Sequence, residues 1–390
     1  MQVPILRVPF GPEDAEFITT GVEKILASGM LTMSTHTKNF EGAFGSFAKA
    51  EHAISCTNGT SELELIIRGL GIEGKSIIVP TNTFLASAYA AIQTGNRVIF
   101  ADCDPETFCL DPADVAARIE DDTAAVMLVH IGGVITPAID ELIALCKSKN
   151  IHLIEDCAHA HGCDYDGRSA GTLGVAGAFS FFPTKVLTMG EGGVVTTNDE
   201  ALAKRIQMIR NHGKNPDLGN RMSIMASNFR ISEITALIGE EQMRRANQIC
   251  ADRRRVATYY DANIVGIPGI NPVELSPKLS SSYYKYLCTI DDSVDRASLK
   301  KTLKEEHGVS LTGEVYADLC HTEPLWDEYD LWGRHRHDPE AGKALREQSF
   351  PGSEEVAANH VCLPLYPGLT QAELDHVVAS LKSVLGTNTS

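Results

Sequence analysis

Between residues 52 and 197 the chain alternates short apolar runs with longer stretches of helical periodicity. The runs 52–56, 76–79, 97–101, 124–130, 151–155 and 192–197 read as strands. Helices are predicted over 61–70, 84–94, 137–149 and 201–210, the second so rich in small residues that it should be buried. Another opens at Asp111-Pro112, with Asp as cap and Pro in the first turn. This alternation predicts crossover units and a mainly parallel sheet covered on both faces, an α/β fold. Residues 162–182 are Gly-rich and end in Phe179-Ser180-Phe181-Phe182. After a polar loop over 211–227, a long helix over 232–260 is of the kind that carries a chain into a second domain. A Tyr-rich strand over 282–290 and helices over 296–307 and 371–385 predict a small α+β unit. The charged stretch 321–347 reads as an irregular surface excursion. The expected division is a large domain over 1–245 and a small C-terminal domain over 246–390.

Composition narrows the class. At about 150 residues per domain, 390 residues suit one large and one small domain. With 43% hydrophobic and 22% charged residues, the chain has material for a large core, and disorder or a collagen-like repeat is excluded. The formal charge of −17 argues against nucleic acid or an anionic membrane as partner. Ten scattered Cys suggest reduced thiols rather than a disulfide framework. No secretory leader is expected in the first ten residues, and no apolar run is long enough to span a membrane. A cytoplasmic protein is expected.

Two motifs are weaker than they look. Gly69-Leu70-Gly71-Ile72-Glu73-Gly74-Lys75-Ser76 fits G-x-x-x-x-G-K-S. A phosphate-binding loop follows a strand and opens a helix. Here a helix precedes and a strand follows, so a helix end turning into a strand is expected. Cys157, His159, His161 and Cys163 recur at every second residue and would share one face of an extended segment. Zinc takes both ligand types, but this is not a zinc-ligand spacing. No metal is expected; the cluster reads as buried thiols with one or two functional imidazoles.

Four other segments fit the needs of pyridoxal phosphate (PLP): a lysine amine, a carboxylate for the ring nitrogen, a stacking partner and a phosphate cup. Lys185 follows an apolar strand and precedes Gly190-Glu191-Gly192-Gly193; partial desolvation there would favour the free amine. Asp156 stands at the C-terminal end of a strand, where open α/β sheets place ligands. Asn58-Gly59-Thr60-Ser61 lies between strand and helix and offers hydroxyls and helix N–H groups. Ser61 and Glu64 also read as a capping box. Ser180 is a further hydroxyl donor, and Phe84, past the end of the 76–79 strand, is the stacking candidate. A solvated lysine and a plain core phenylalanine are the alternatives for Lys185 and Phe84 taken singly.

Glu155-Asp156-Cys157-Ala158-His159-Ala160-His161-Gly162, Gly171-Thr172, Phe179-Ser180-Phe181-Phe182-Pro183-Thr184-Lys185 and Gly190-Glu191-Gly192-Gly193 resemble the sugar aminotransferase family of DegT/DnrJ/StrS type. Asn58-Gly59-Thr60, Thr83-Phe84, Ser227-Asn228-Phe229-Arg230 with Ser232-Glu233, and Cys362-Leu363-Pro364-Leu365 extend the resemblance, in order, over nearly the whole chain. It implies the type I fold of PLP-dependent aspartate aminotransferase, with a mainly parallel seven-stranded sheet, a small C-terminal domain and a homodimer. By the same resemblance Lys185 carries the cofactor as a Schiff base, Asp156 pairs with the pyridine nitrogen and Phe84 covers the ring. Gly59, Thr60, Ser61 and Ser180 would hold the phosphate, with Asn228 reaching it from the partner subunit. His159 stands where many relatives carry Gln and would lie near the phenolic oxygen. His130 and Arg230 are candidate substrate contacts; Arg210 and Arg221 offer further positive charge.

The implied reaction moves an amino group from L-glutamate or L-glutamine to a nucleotide-linked keto-sugar by a ping-pong route. His159 also suits members acting on a cyclitol ketone or making aminohydroxybenzoates. Met33-Ser34 and Gly132-Gly133 depart from the family's pattern and bear on substrate identity. Lys185 itself argues against the dehydratase branch, where a histidine replaces it. A non-catalytic PLP-binding regulator and a metal-dependent hydrolase at Cys157–Cys163 are the competing classes.

Overall fold

The computed structural model describes residues 1–386 other than Pro9 and His337. Seven strands form the central sheet: β1 His52–Cys56, β2 Ser76–Pro80, β3 Arg97–Ala101, β4 Thr123–Val129, β5 His152–Asp156, β6 Ala176–Ser180 and β7 Gly193–Thr197. Their spatial order is β1-β7-β6-β5-β4-β2-β3. β7 is antiparallel to both neighbours, and the other pairings are parallel. Ile77, Ile78 and Val79 of β2, and Val126, Met127 and Leu128 of β4, are fully buried. Continuous burial, rather than alternation, marks strands covered on both faces. Register brings the strand ends level: Val129 stands opposite Asp156, and Asp156 opposite Ala178. The C-terminal ends of β2, β4, β5 and β6 therefore open on one edge.

The covering helices are α1 Pro12–Ser28, α2 Thr35–Ala48, α3 Gly59–Leu70, α4 Ala86–Gln93, α5 Pro112–Arg118, α6 Ile139–Lys149, α7 Glu200–Arg210 and α8 Glu233–Asn263. The sequence pattern assigns no element before residue 52, yet α1 and α2 are there. Phe40 and Phe44 bury one side of α2 against Phe181. α5 begins as its sequence signals, with Asp111 accepting from the Ala113 N–H and Pro112 in the first turn. α3 starts two residues earlier than expected. Its cap is the Asn58 side chain, which accepts from the Ser61 N–H at 2.9 Å, so the Ser61–Glu64 capping box does not form. The glycine-rich Gly69–Ser76 segment is a helix end with Gly71 in the left-handed conformation, followed by β2.

The C-terminal part holds an antiparallel sheet of β8 Ile270–Pro272, β9 Tyr286–Ile290 and β10 His360–Leu363. Beside it stand α9 Arg296–His307, α10 Pro339–Arg346, α11 Pro351–Ala358 and α12 Gln371–Gly386. The expected cut at 245/246 falls inside α8. Ala236, Ala246 and Ile249 pack with the large sheet, whereas Val256, Ala257 and Tyr260 pack in the C-terminal core. Val3 joins that second core and pairs with Val309.

One expectation needs correction and another refinement. The strand expected from 282 begins only at Tyr286. The Arg253 guanidinium binds the carbonyls of Ser282, Tyr283 and Tyr284, which keeps them out of a ladder. The 321–347 stretch is exposed or half-buried over most of its described length, as expected, but it is anchored at a few points rather than irregular throughout. Trp326 is fully buried and its indole N–H donates to the Cys320 carbonyl at 2.6 Å. The Leu331 carbonyl accepts from the Val98 N–H of β3 at 2.9 Å.

Candidate active site

A cavity of about 670 Å³ opens at the level strand ends. Gly59, Thr60, Ser61, Phe84, Asp156, His159, Ser180 and Lys185 all line it. Asp156 ends β5 and is held on two sides. Oδ2 accepts from Ser87 Oγ of α4 at 2.7 Å, and Oδ1 from the Ala158 N–H at 3.1 Å. Lys185 sits in a turn closed by its own N–H to the Phe182 carbonyl. That turn is anchored by Phe181, buried against Phe40 and Phe44. Burial pushes the Lys185 amine down to about 8; Lys285 adds to the shift and Asp156 opposes it. Its Nζ lies 5.0 Å from the centre of the Tyr284 ring.

On the opposite wall the N-terminus of α3 meets Ser180. A Cβ on Gly59 would stand 2.8 Å from Ser180 Cβ, so only glycine allows this approach. Thr57 Oγ1 donates to Ser61 Oγ at 3.1 Å. The helix N-terminus brings unpaired N–H groups and a positive dipole end to the same place. Phe84 is 63% exposed, with its ring facing Tyr316 at 6.4 Å and 30°. His159 is buried and stacked on Tyr284 at 3.9 Å and 14°.

Three expected site residues lie elsewhere. His130 is fully buried beneath the cavity, its Nε2 2.9 Å from Glu155 Oε2, and cannot be a substrate contact from there. Glu155 also accepts from the N–H groups of Gly171, Leu173 and Gly174, so His130 belongs to a knot that fixes the loop before β6. Arg230 donates to Asn211 Oδ1 at 2.8 Å and is not in the wall. Asn228 is exposed, bridges to Asn211, and is likewise absent from the wall of its own chain. The cysteine–histidine repeat does not share a face. Residues 157–163 form successive turns, with the Ala160 N–H on the Cys157 carbonyl and the Cys163 N–H on the Ala160 carbonyl. His159 faces the cavity, His161 packs among Phe44, Phe179 and Phe181, and Cys163 meets Ser282. Burial pushes His161 down to about 3, a neutral core imidazole.

Glu191 of the Gly190–Gly193 motif also lines the wall, and residues with no assigned part complete it: Tyr284 and Tyr316 line it, and Ser87 holds Asp156 from behind. Tyr284 carried a faint signal in the Tyr-rich stretch; Tyr316 and Ser87 carried none.

The sequence profile of the DegT/DnrJ/EryC1/StrS aminotransferase family matches residues 12–382. The chain belongs to this family. GDP-perosamine synthase of Caulobacter vibrioides is 32% identical over 352 residues, 89% of either chain. A putative L-glutamine:3-amino-2,3-dideoxy-scyllo-inosose aminotransferase of Micromonospora echinospora is 29% identical, covering 94% of this chain and 91% of the relative. The crystal structure of S. venezuelae DesV in complex with a ketimine intermediate superposes with a TM-score of 0.84 at 27% identity, over 97% of this chain and 98% of that one. This family member is a PLP-dependent aminotransferase of type I fold. The residues present fit the cofactor: a lysine with a lowered amine pKa, a carboxylate held at a strand end, and a glycine cradle at a helix start.

The Lys185 shift gives a pH prediction. Only the free amine captures an aldehyde, and an amine with a pKa of about 8 is about one-tenth free at pH 7. PLP capture by cofactor-free protein should accelerate as pH rises through about 8 and then level off. Stopped-flow absorbance reads this directly; a rate still climbing towards pH 10 would mark an ordinary solvated lysine.

Proposed function

We propose that this aminotransferase transfers the amino group of L-glutamate or L-glutamine to the ketone of a nucleotide-linked sugar by a ping-pong route. The observation that carries the reading is the shared cavity of Lys185, Asp156 and the Gly59-Thr60-Ser61 helix start. The sugar acceptor is supported by the 32% identity to GDP-perosamine synthase. A cyclitol ketone is the second acceptor class, supported by the scyllo-inosose aminotransferase likeness.

When bound, PLP supplies an aldehyde that condenses with amines and a ring that draws electrons from the adjacent carbon. Lys185 Nζ would hold it and, when free, would move the donor's α-proton as base and then acid. Asp156, its carboxylate fixed by Ser87 and the Ala158 N–H, would hold a proton at the ring nitrogen. Gly59, Thr60, Ser61 and Ser180 would hold the phosphate, and Phe84 would stack on the ring. Asn228 contributes from the second subunit of a homodimer. Exposed Met222 and Met225 beside it, 71% and 95% accessible, support a covered surface there. Ten buried free thiols support a reducing, cytoplasmic setting.

The test is a visible spectrum of the purified protein with L-glutamate, then L-glutamine. A yellow band bleached by one of them is expected, and names the donor. A band that neither changes would favour a PLP-binding regulator. No band after added PLP would overturn the roles of Lys185 and Asp156.

A further inference from the structure

Tyr284 meets Lys185 from the C-terminal part of the chain. Lys185 Nζ stands over its ring, 5.0 Å from the centre, and Thr184 Oγ1 lies 3.3 Å from its Oη. The ring also stacks on His159, at 3.9 Å and 14°, and lines the cavity. Among the described residues Nζ has no carboxylate within ion-pair distance, and Asp156 acts on it from further away. Lys285 stands over the same ring at 5.4 Å, but it lines a separate pocket with Gly132 and Val273 and donates to the Gly313 carbonyl.

The ring is placed by its own backbone. The buried Arg253 guanidinium of α8 donates to the carbonyls of Ser282, Tyr283 and Tyr284 at distances from 2.7 to 3.1 Å. Tyr283 has a φ of +51°, a left-handed conformation that is costly for an aromatic residue and persists where its surroundings impose it. Arg253 imposes it by drawing three successive carbonyls to one guanidinium. Burial pushes the Tyr284 hydroxyl pKa up, so the ring faces Lys185 as a neutral phenol.

A neutral aromatic ring is negative on its faces and attracts an ammonium within about 6 Å, more strongly where water is excluded. The attraction favours Lys185 in its charged form. That is the form Nζ has while it carries a proton taken from the amino donor.

We propose that the Tyr284 ring is the seat of the Lys185 ammonium, holding Nζ at the cavity wall while it carries the donor's α-proton. Tyr284 is then a positioning residue for the proton transfer. The identity of the proton rests on the transaminase reading above; the seat itself does not.

The test has two arms, and the first needs no turnover. In cofactor-free protein the midpoint of PLP capture, about 8 in the parent, should fall by about one pH unit in Tyr284→Leu. In Tyr284→Phe, which keeps the ring and loses only the hydroxyl, it should move by less than about 0.3. The sign is diagnostic, because water admitted beside the smaller leucine would move the midpoint up. Tyr284→Met, which fills more of the ring's space, reads the same shift if the leucine variant does not fold. A midpoint that stays or rises when the ring is lost overturns the seat. The second arm follows the colour of the loaded protein under saturating L-glutamate or L-glutamine, whichever bleaches it. The bleaching rate should fall about tenfold in Tyr284→Leu, with the half-saturating donor concentration changed less than about threefold and Tyr284→Phe close to the parent. A raised half-saturation with an unchanged rate would make Tyr284 a substrate contact and overturn the seat. Parent protein that captures no PLP would sink the Lys185 reading and this inference together; capture with an unmoved midpoint sinks this inference alone. If neither amino acid bleaches the parent, the transaminase reading falls, and the capture midpoint decides the seat by itself.

Discussion

Lys185→Ala should yield a folded, PLP-binding protein with no measurable multiple turnover. The loss should be about a thousandfold or more, because one change removes both the covalent anchor and the group that moves the α-proton. The fold should survive: the turn around Lys185 is held by its backbone bond to Phe182 and by the buried Phe181 ring, neither of which the substitution touches. The phosphate cradle at Gly59 and Ser180 is also untouched, so cofactor binding should persist without covalent attachment. Thermal unfolding with and without PLP checks the first point, and a continuous assay over many turnovers the second. Small primary amines added to the buffer should restore part of the rate. Turnover within tenfold of the parent would remove Lys185 from the chemistry.

Asp156→Asn is the second large effect. Asparagine keeps the shape and can still accept from Ser87 Oγ, now 2.7 Å from Oδ2, but it cannot stabilise a protonated ring nitrogen. Losing one pre-positioned electrostatic contact of this kind costs about a hundredfold to a thousandfold in kcat. A second readout has a fixed sign. Asp156 raises the Lys185 pKa against burial, so its neutralisation should move the midpoint of PLP capture below about 8. A capture midpoint that stays put, with kcat unchanged, would show that Asp156 does not face the reacting groups. Ser87→Ala offers a milder version, because it frees the carboxylate without removing it.

What the sequence revealed follows a physical boundary. Lys185, Asp156 and Asn58–Ser61 were legible because each owes its place to the strand beside it, and strands leave a local apolar signature. Register then brings them together, as Val129, Asp156 and Ala178 show. Tyr316 and Ser87 were not legible, because their roles depend on which segments meet across the cavity. The Cys157–Cys163 repeat misled by assuming that β5 continues, whereas it stops at Asp156 and the chain turns at once. His130 misled in another way. It follows a strand on the right edge, but its ring is turned inward to Glu155, a partner 25 residues away that no local pattern reveals. α1 and α2 were missed because their buried faces are thin: that of α1 is completed by Leu237 of α8, and that of α2 by Phe179 and Phe181.

The bond from Val98 to Leu331 has a consequence for colloidal behaviour. β3 is the last strand on its side of the sheet, short and apolar, with Val98 and Phe100 buried. An open edge of that kind is a template on which further chains can add strand by strand. The 320–333 segment, anchored by Trp326, occupies one of the amides such a chain would need. Shortening this segment would therefore be felt first as precipitation during expression, before any change in activity could be measured.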